Sequence, residues 1–253
     1  MAPPPLFQPG KELPLLWEDR HFVVINKPAG LAAHPGPKVQ DSVESRLLPQ
    51  KRGGPWLVHR LDADTAGCLL IARRKSALVA AQKAFATHET IKRYWALVEG
   101  HPTRQQGTLT TLLRRVSSIR QGWKMVSDPM PETVHPSQTD QGRLARTSWR
   151  VLASDGTSSL LELTLHTGRT HQARVHCAAL GTPIIGDGLY GSHHDAGRMR
   201  LLARSLEVPV RLVSPPETDR TVPRLASSCR IKATAGDVEL ERFLQAHAIP
   251  ARP

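Results

Sequence analysis

Two carboxylates, an imidazole and a guanidinium fall within ten residues in Val58-His59-Arg60-Leu61-Asp62-Ala63-Asp64-Thr65-Ala66-Gly67. Asp62, Asp64 and Thr65 favour turns and caps over helix interiors, and Gly67 leads into Cys68-Leu69-Leu70-Ile71-Ala72, an apolar run suited to a buried strand. The pattern predicts carboxylates on a loop that enters a core strand, where rigid neighbours can aim them. A carboxylate held in this way is suited to nucleophilic chemistry. The same spacing also fits an unreactive turn in which Asp64 caps Thr65 and Arg60 pairs with one acid. Spacing alone does not choose between the two readings, nor between the two acids.

The positioning elements follow from periodicity and punctuation. Residues 1–14 carry five prolines and predict an extended arm. Phe22–Asn26 reads as a strand ending in a loop, Lys27-Pro28-Ala29-Gly30-Leu31 then His34-Pro35-Gly36, with cations at Lys27 and Lys38. Asp41-Ser42-Val43-Glu44 fits a capping box opening a short helix that stops near Pro49. Arg73-Arg74-Lys75 reads as a solvated basic run before Ser76, the expected N-cap of a helix through about His88 with Leu78, Gln82 and Phe85 on one stripe. Lys92–Gly100 alternates as a strand, with Tyr94, Ala96 and Val98 on one face and Trp95 and Leu97 on the other.

Residues 101–146 carry cations at Arg104, Arg114, Arg115, Arg120 and Lys124 but few long apolar runs, which predicts short strands joined by loops. Leu161, Leu163 and Leu165 alternate along a further strand. Thr170 is expected to open a helix that Gly181 closes at C′, with His171, Arg174 and Ala178 on one face and Arg174 pointing out of the core. Met199–Pro209 predicts a strand, 214–223 a proline-rich linker, and 238–247 a helical segment of the tail.

His59-Arg60-Leu61-Asp62 followed by Thr65 and Gly67 resembles the central motif of the RluA-type pseudouridine synthases. Three further stretches are similar to that family's signatures: Asn26-Lys27-Pro28 with Gly30, the Lys92-x-Tyr94-x-Ala96-x-Val98-x-Gly100 strand, and Thr167-Gly168-Arg169-Thr170-His171-Gln172 running to Arg174 and His176. The resemblance covers roughly residues 17–209. It implies that Asp62 is the catalytic residue, that Arg174 pairs with it, and that Tyr94 lies against the target base. His59, Arg60, Leu61, Thr65, Arg169, His171 and Gln172 would line the substrate. Ala173 departs from the larger aliphatic residue of the pattern, and Arg143 stands where Lys is common. Gly186-Asp187-Gly188-Leu189-Tyr190-Gly191 formally matches a dinucleotide fingerprint, but no adequate strand precedes it and it resembles the family's G-D-x-x-Y-G segment.

The implied fold is α+β, a central and mostly antiparallel mixed sheet with flanking helices. Its expected division is an N-terminal arm over 1–16, a catalytic domain over 17–213 with a variable basic insert at 101–146, and a linker and tail over 214–253, without an S4-type module. Length allows a full core. A surplus of 34 Lys+Arg over 22 Asp+Glu, net charge +12, points to a polyanionic partner. The expected partner is structured RNA, ribosomal or transfer, bound by a monomer. Three cysteines without CxxC pairs point to a reducing cytoplasm, and neither a secretion signal nor an apolar span of 18 residues is present. His171 and His176 lie about 140° apart on a helix and no HExxH occurs, so no metal is expected, and the uridine isomerisation that the resemblance implies requires no cofactor. The competing reading is an RNA-binding protein on the same fold without catalysis; a metal-dependent hydrolase would need ligands that the sequence does not assemble.

Overall fold

Runs of aliphatic and β-branched residues become strands throughout. The computed structural model describes residues 4–37, 39–51, 53–118, 122–130, 142–194, 196–213 and 226–249. Lys38, Arg120 and the 214–223 stretch lie outside them. In chain order the elements are β1 (Leu15–Glu18), β2 (Phe22–Lys27), α1 (Val43–Arg46), β3 (Trp56–Leu57), β4 (Ala66–Ala72), α2 (Lys75–Ala86), β5 (Ile91–Glu99), β6 (Gln106–Ser118), β7 (Gly122–Asp128), β8 (Arg143–Ser154), β9 (Ser158–Leu165), α3 (Gln172–Ala179), β10 (Leu201–Val213), β11 (Ala226–Thr234) and α4 (Val238–His247). Contacts group them into two units, one of Met1–Ile91 with Ala203–Ala235 and one of Lys92–Leu202 with Gly236–Pro253.

In the first unit β2 pairs antiparallel with β1 on one side and β4 on the other, Val23 facing Ile71 and Ile25 facing Leu69. These residues are fully buried, so the apolar runs that lack alternation are strands covered on both faces. β4 neighbours β10, and β10 pairs from Ser205 to Val213 with β11. Residues 226–234 therefore form a nine-residue strand of this unit rather than part of a tail. Leu6 and Phe7 of the proline-rich arm are buried, and Phe7 bridges to Leu47.

In the second unit the strands follow the order β5-β9-β8-β6-β7, with antiparallel pairings along β9, β8, β6 and β7. Ala96 and Val98 of β5, Leu161, Leu163 and Leu165 of β9, and Ala173 and Cys177 of α3 share one core, with Tyr94 packed against it. β6 and β7 are long strands paired antiparallel from Leu112 to Ser118 and from Gly122 to Asp128, not a chain of short ones. The outward face of β6 is Thr-, Arg- and Ser-rich, and this polarity hid its alternation. α4 packs on β8, with Ala248 bridging Ala153. No helix among the described residues is long and apolar enough to cross a membrane.

Helix starts differ from expectation. Ser42, not Asp41, caps α1, and Ser45 rather than Glu44 closes the capping box. α2 begins one residue before Ser76, with Arg74 at its N-cap and no side-chain cap. Arg73 is not solvated: its guanidinium donates to Glu18 at 2.9 Å and to the Pro4 carbonyl at 3.1 Å. α3 starts at Gln172 with His171, in a left-handed conformation, at its N-cap, while Gly181 sits at C′ as expected. β10 continues through Pro209 to Val213.

Candidate active site

The loop carrying the paired acids is built from β4 outward. The second residue of β4 must be a glycine: Gly67 has φ +110°, and a Cβ there would lie 2.4 Å from the Ala203 carbonyl oxygen. Upstream, Leu61 and Thr65 turn inward and are buried. The turn closes through its backbone, Thr65 N–H donating to the Asp62 carbonyl at 3.1 Å. The Asp64 side chain is not the cap, and neither carboxylate has a hydrogen-bonded partner among the described residues. Asp62 is half-buried, whereas Asp64 and Arg60 are exposed. His59 Nε2 accepts the Leu70 amide at 3.1 Å, so this nitrogen carries no proton, and the ring stacks on Phe85 at 4.8 Å. His59 thus ties the loop to both β4 and α2.

The fastener of this loop is Lys27, which sequence reasoning noted only as a loop cation. Its side chain is fully buried at the end of β2. Nζ donates to the carbonyls of Pro28 at 2.9 Å, Leu31 at 2.6 Å and Ala63 at 2.8 Å, using all three of its protons. Gly30 N–H adds a second donor to Ala63 at 2.9 Å. The peptide between the two acids is therefore clamped by the Lys27-Pro28 loop. Burial pushes the Lys27 ammonium down to about 8, against the opposing pull of Asp64 and Asp62. The signal for it was present in the Asn26-Lys27-Pro28 signature.

In the second unit the α3 end is a polar knot. Gln172 donates to the Arg146 carbonyl at 3.0 Å and Thr147 Oγ1 at 2.9 Å, and its Oε1 accepts from Thr167 Oγ1 at 2.7 Å and Arg169 N–H at 3.0 Å. All four hydrogen-bonding positions of its amide are engaged, so Gln172 holds the turn. His176 lies between Thr147 and Thr111 at 2.8 and 3.1 Å, and burial pushes its imidazole down to about 4. Arg169 Nε reaches the Leu144 carbonyl at 2.9 Å.

Arg174 does not point out of the core. It is buried one turn into α3, and its Nε and Nη2 donate to the two oxygens of Asp187 at 2.7 and 2.8 Å. The Tyr190 ring lies 5.0 Å from the guanidinium, and Tyr190 Oη meets His171 Nδ1 at 2.8 Å and accepts the Met125 amide at 3.0 Å. His171 stacks on Trp123 at 5.0 Å. The Gly186–Gly191 segment therefore supplies the acid and the aromatic that fix Arg174, and its Gly188–Tyr190 part is a 3-10 turn, not a dinucleotide loop. Tyr94 stands on β5 opposite Leu163, half-buried.

The family model for RNA pseudouridylate synthases matches residues 21–179. An uncharacterized RNA pseudouridine synthase of Zymomonas mobilis is 41% identical over 213 residues, 81% of this chain and 90% of that one. Ribosomal large subunit pseudouridine synthase D of the same organism is 35% identical over 208 residues, 76% of this chain but only 62% of its longer relative. Of solved structures, human RNA pseudouridylate synthase domain containing 4 superposes with a TM-score of 0.66 at 24% identity, covering 92% of this chain and 93% of that one. Human RNA pseudouridylate synthase domain containing 1 gives 0.61 at 26% identity, covering 96% and 99%. With the α+β fold shared and most of the chain matched, this protein belongs to the RNA pseudouridylate synthase family and is an isomerase.

Proposed function

We propose that the protein converts a uridine of ribosomal RNA to pseudouridine, with Asp62 as the catalytic carboxylate and Arg174 and Tyr94 as its partners. The observation that carries the reading is the setting of Asp62: a half-buried carboxylate without a hydrogen-bonded partner among the described residues, on a loop clamped at the next peptide by Lys27. Structural carboxylates are ordinarily tied down, whereas one held rigid by its backbone keeps its lone pairs for substrate. The reaction breaks N1–C1′ and makes C5–C1′. The proton leaves C5 and N1 gains one, so every heavy atom of the product is already in the substrate. Asp62 acts as the nucleophile through its carboxylate oxygens. A uridine in a helix must be flipped out, at a cost of a few kcal/mol that stacking on Tyr94 offsets in part.

Ribosomal RNA is preferred to transfer RNA because relatives with matching sequence carry ribosomal large subunit names. The enzyme works in the cytoplasm as a monomer, to be checked by elution at the mass of one 27.8 kDa chain. The deciding experiment is tritium release from ribosomal RNA labelled at uridine C5. Wild type should release it, while Asp62→Asn binds the RNA and releases none. Near-native release by Asp62→Asn would remove that residue from the chemistry, and binding without release by wild type would return the non-catalytic alternative.

A further inference from the structure

A second basic feature lies in the first unit, apart from the loop of Asp62. A groove of about 560 Å³ runs between α2 and β10, lined by Lys75, Val79, Lys83, Glu89, Pro209 and Arg211, with Ala80 and Ala84 at its base. The helical residues recur every fourth position, so one ridge of α2 forms a continuous wall. Three of the lining side chains are cations and one is an acid, and Glu89 already accepts from Thr87 Oγ1 at 2.7 Å. Lys75, Lys83 and Arg211 are exposed and enter no ion pair among the described residues, whereas Arg46 and Arg73 of the same unit pair with Asp41 and Glu18. Lys75 instead lies 5.7 Å from the Trp56 ring.

The groove is not simply a solvated charged face. Val79 is 58% exposed at its wall, and Pro209 and two alanines continue an apolar strip between the cations. An apolar strip rimmed by unpaired cations matches one nucleotide: a flat base or ribose against the strip, and phosphates against the rim. α2 supports the sign of the ligand, because its N-cap has no side-chain hydrogen bond and its first turn holds Lys75 and no acid. A cation at that end opposes the helix dipole, and an incoming anion would offset both defects.

We propose that the α2–β10 groove is an accessory RNA-binding site that takes a single-stranded nucleotide flanking the modified region. The inference rests on the RNA substrate of the preceding reading and adds the place where RNA outside the reacting uridine is gripped. The test uses the full chain carrying Lys75→Glu, Lys83→Glu and Arg211→Glu together, with Val79→Asp as a second variant that adds one acid to the apolar wall. All four positions are exposed, and thermal melting should match wild type. Filter binding to in vitro transcribed large-subunit ribosomal RNA should weaken at least about tenfold, with the log–log salt slope reduced by about 2, near 0.7 for each of three lost contacts. Turnover at saturating RNA should be unchanged, so that KM rises alone. Binding is read without turnover, so the groove and the catalytic reading fail separately. Wild-type affinity and slope in both variants would overturn the proposal. So would weakened binding that inorganic phosphate at millimolar concentration reproduces in wild type, since the groove would then be a small-anion site.

Discussion

Asp187→Asn is the perturbation that most directly probes how Arg174 is held. The guanidinium is 8% exposed and the carboxylate 1%, joined by two short bonds of 2.7 and 2.8 Å. Asparagine keeps the shape but offers one acceptor oxygen and sets an NH2 group against a guanidinium N–H. Removing one member of a buried ion pair costs about 3–5 kcal/mol. The surviving hydrogen bond places this variant at the low end, about 3 kcal/mol, or a drop in melting temperature of about 6–12 °C at this chain length. Thermal melts by circular dichroism measure that loss. Asp187→Leu should be worse still, yet adding Arg174→Met to it should recover stability, because an apolar pair carries no desolvated charge. On ribosomal RNA, Asp187→Asn should lower kcat with little change in KM if its role is to aim Arg174. A melt within 1 °C of wild type would refute the energetic reasoning, and full kcat despite a lowered melt would confine Asp187 to the scaffold.

Three further outcomes follow from groups that hold the site. Burial drives His176 down to about 4 from 6.5, so the unfolded chain takes up a proton across that window while the folded chain does not; stability should fall from pH 6.5 toward 4, by at most about 3 kcal/mol, and urea midpoints of His176→Gln should lack that slope. Lys27 behaves in the opposite pH direction: folded it releases its proton near 8 and unfolded near 10.5, so stability from this group rises with pH between those values. Lys92, also near 8, adds to the rise, and the buried Cys68 and Cys177 oppose it above about 9, where unfolded thiols ionise. Lys27→Met should therefore flatten part of the rise between pH 8 and 9 and also reduce turnover, because the Ala63 carbonyl loses one of its two donors; a variant with wild-type slope and rate would sink the clamp. Gly67→Ala should cost about 2–4 kcal/mol, whereas Gly30→Ala, at φ +84° with no atom within 4 Å, should cost about 1 kcal/mol, and equal losses would show that the Ala203 contact is immaterial.

The legible parts of the fold were those that one segment decides alone. Leu161, Leu163 and Leu165 alternate whatever their neighbours do, and the unbroken Cys68–Ala72 run has nowhere to lie but inside. Helix starts were less legible because a cap is worth about 1 kcal/mol, and the turn leading into the helix can outweigh it. Ser76 and Thr170 are the better cap residues, yet Arg74 and His171 hold those places, and nothing in the type of His171 announces a positive φ. Lys27 carries the same lesson for the site. As a residue type it belongs on a surface loop, and only the three carbonyls converging on it from two loops show why it is inside.

Arg174 was misread for a different reason, and the error was one that the sequence contained the means to correct. His171 and Arg174 on one α3 face suggested exposure, but the helix is flanked by Ala173, Val175 and Cys177, all of which are buried, and a short helix lined in this way has little outward surface. An arginine that goes inside must take an acid with it, since an uncompensated buried charge costs several kcal/mol. From residue 163 to residue 194 the chain offers one acid, Asp187, set between glycines that let the backbone turn close beneath the helix. Reading the segment for charge balance rather than for a glycine fingerprint would have joined the two residues across thirteen positions. That pairing also assigns the G-D-x-x-Y-G segment its work: Asp187 fixes the guanidinium from one direction and the Tyr190 ring covers it from another. A cation held on two sides keeps one orientation.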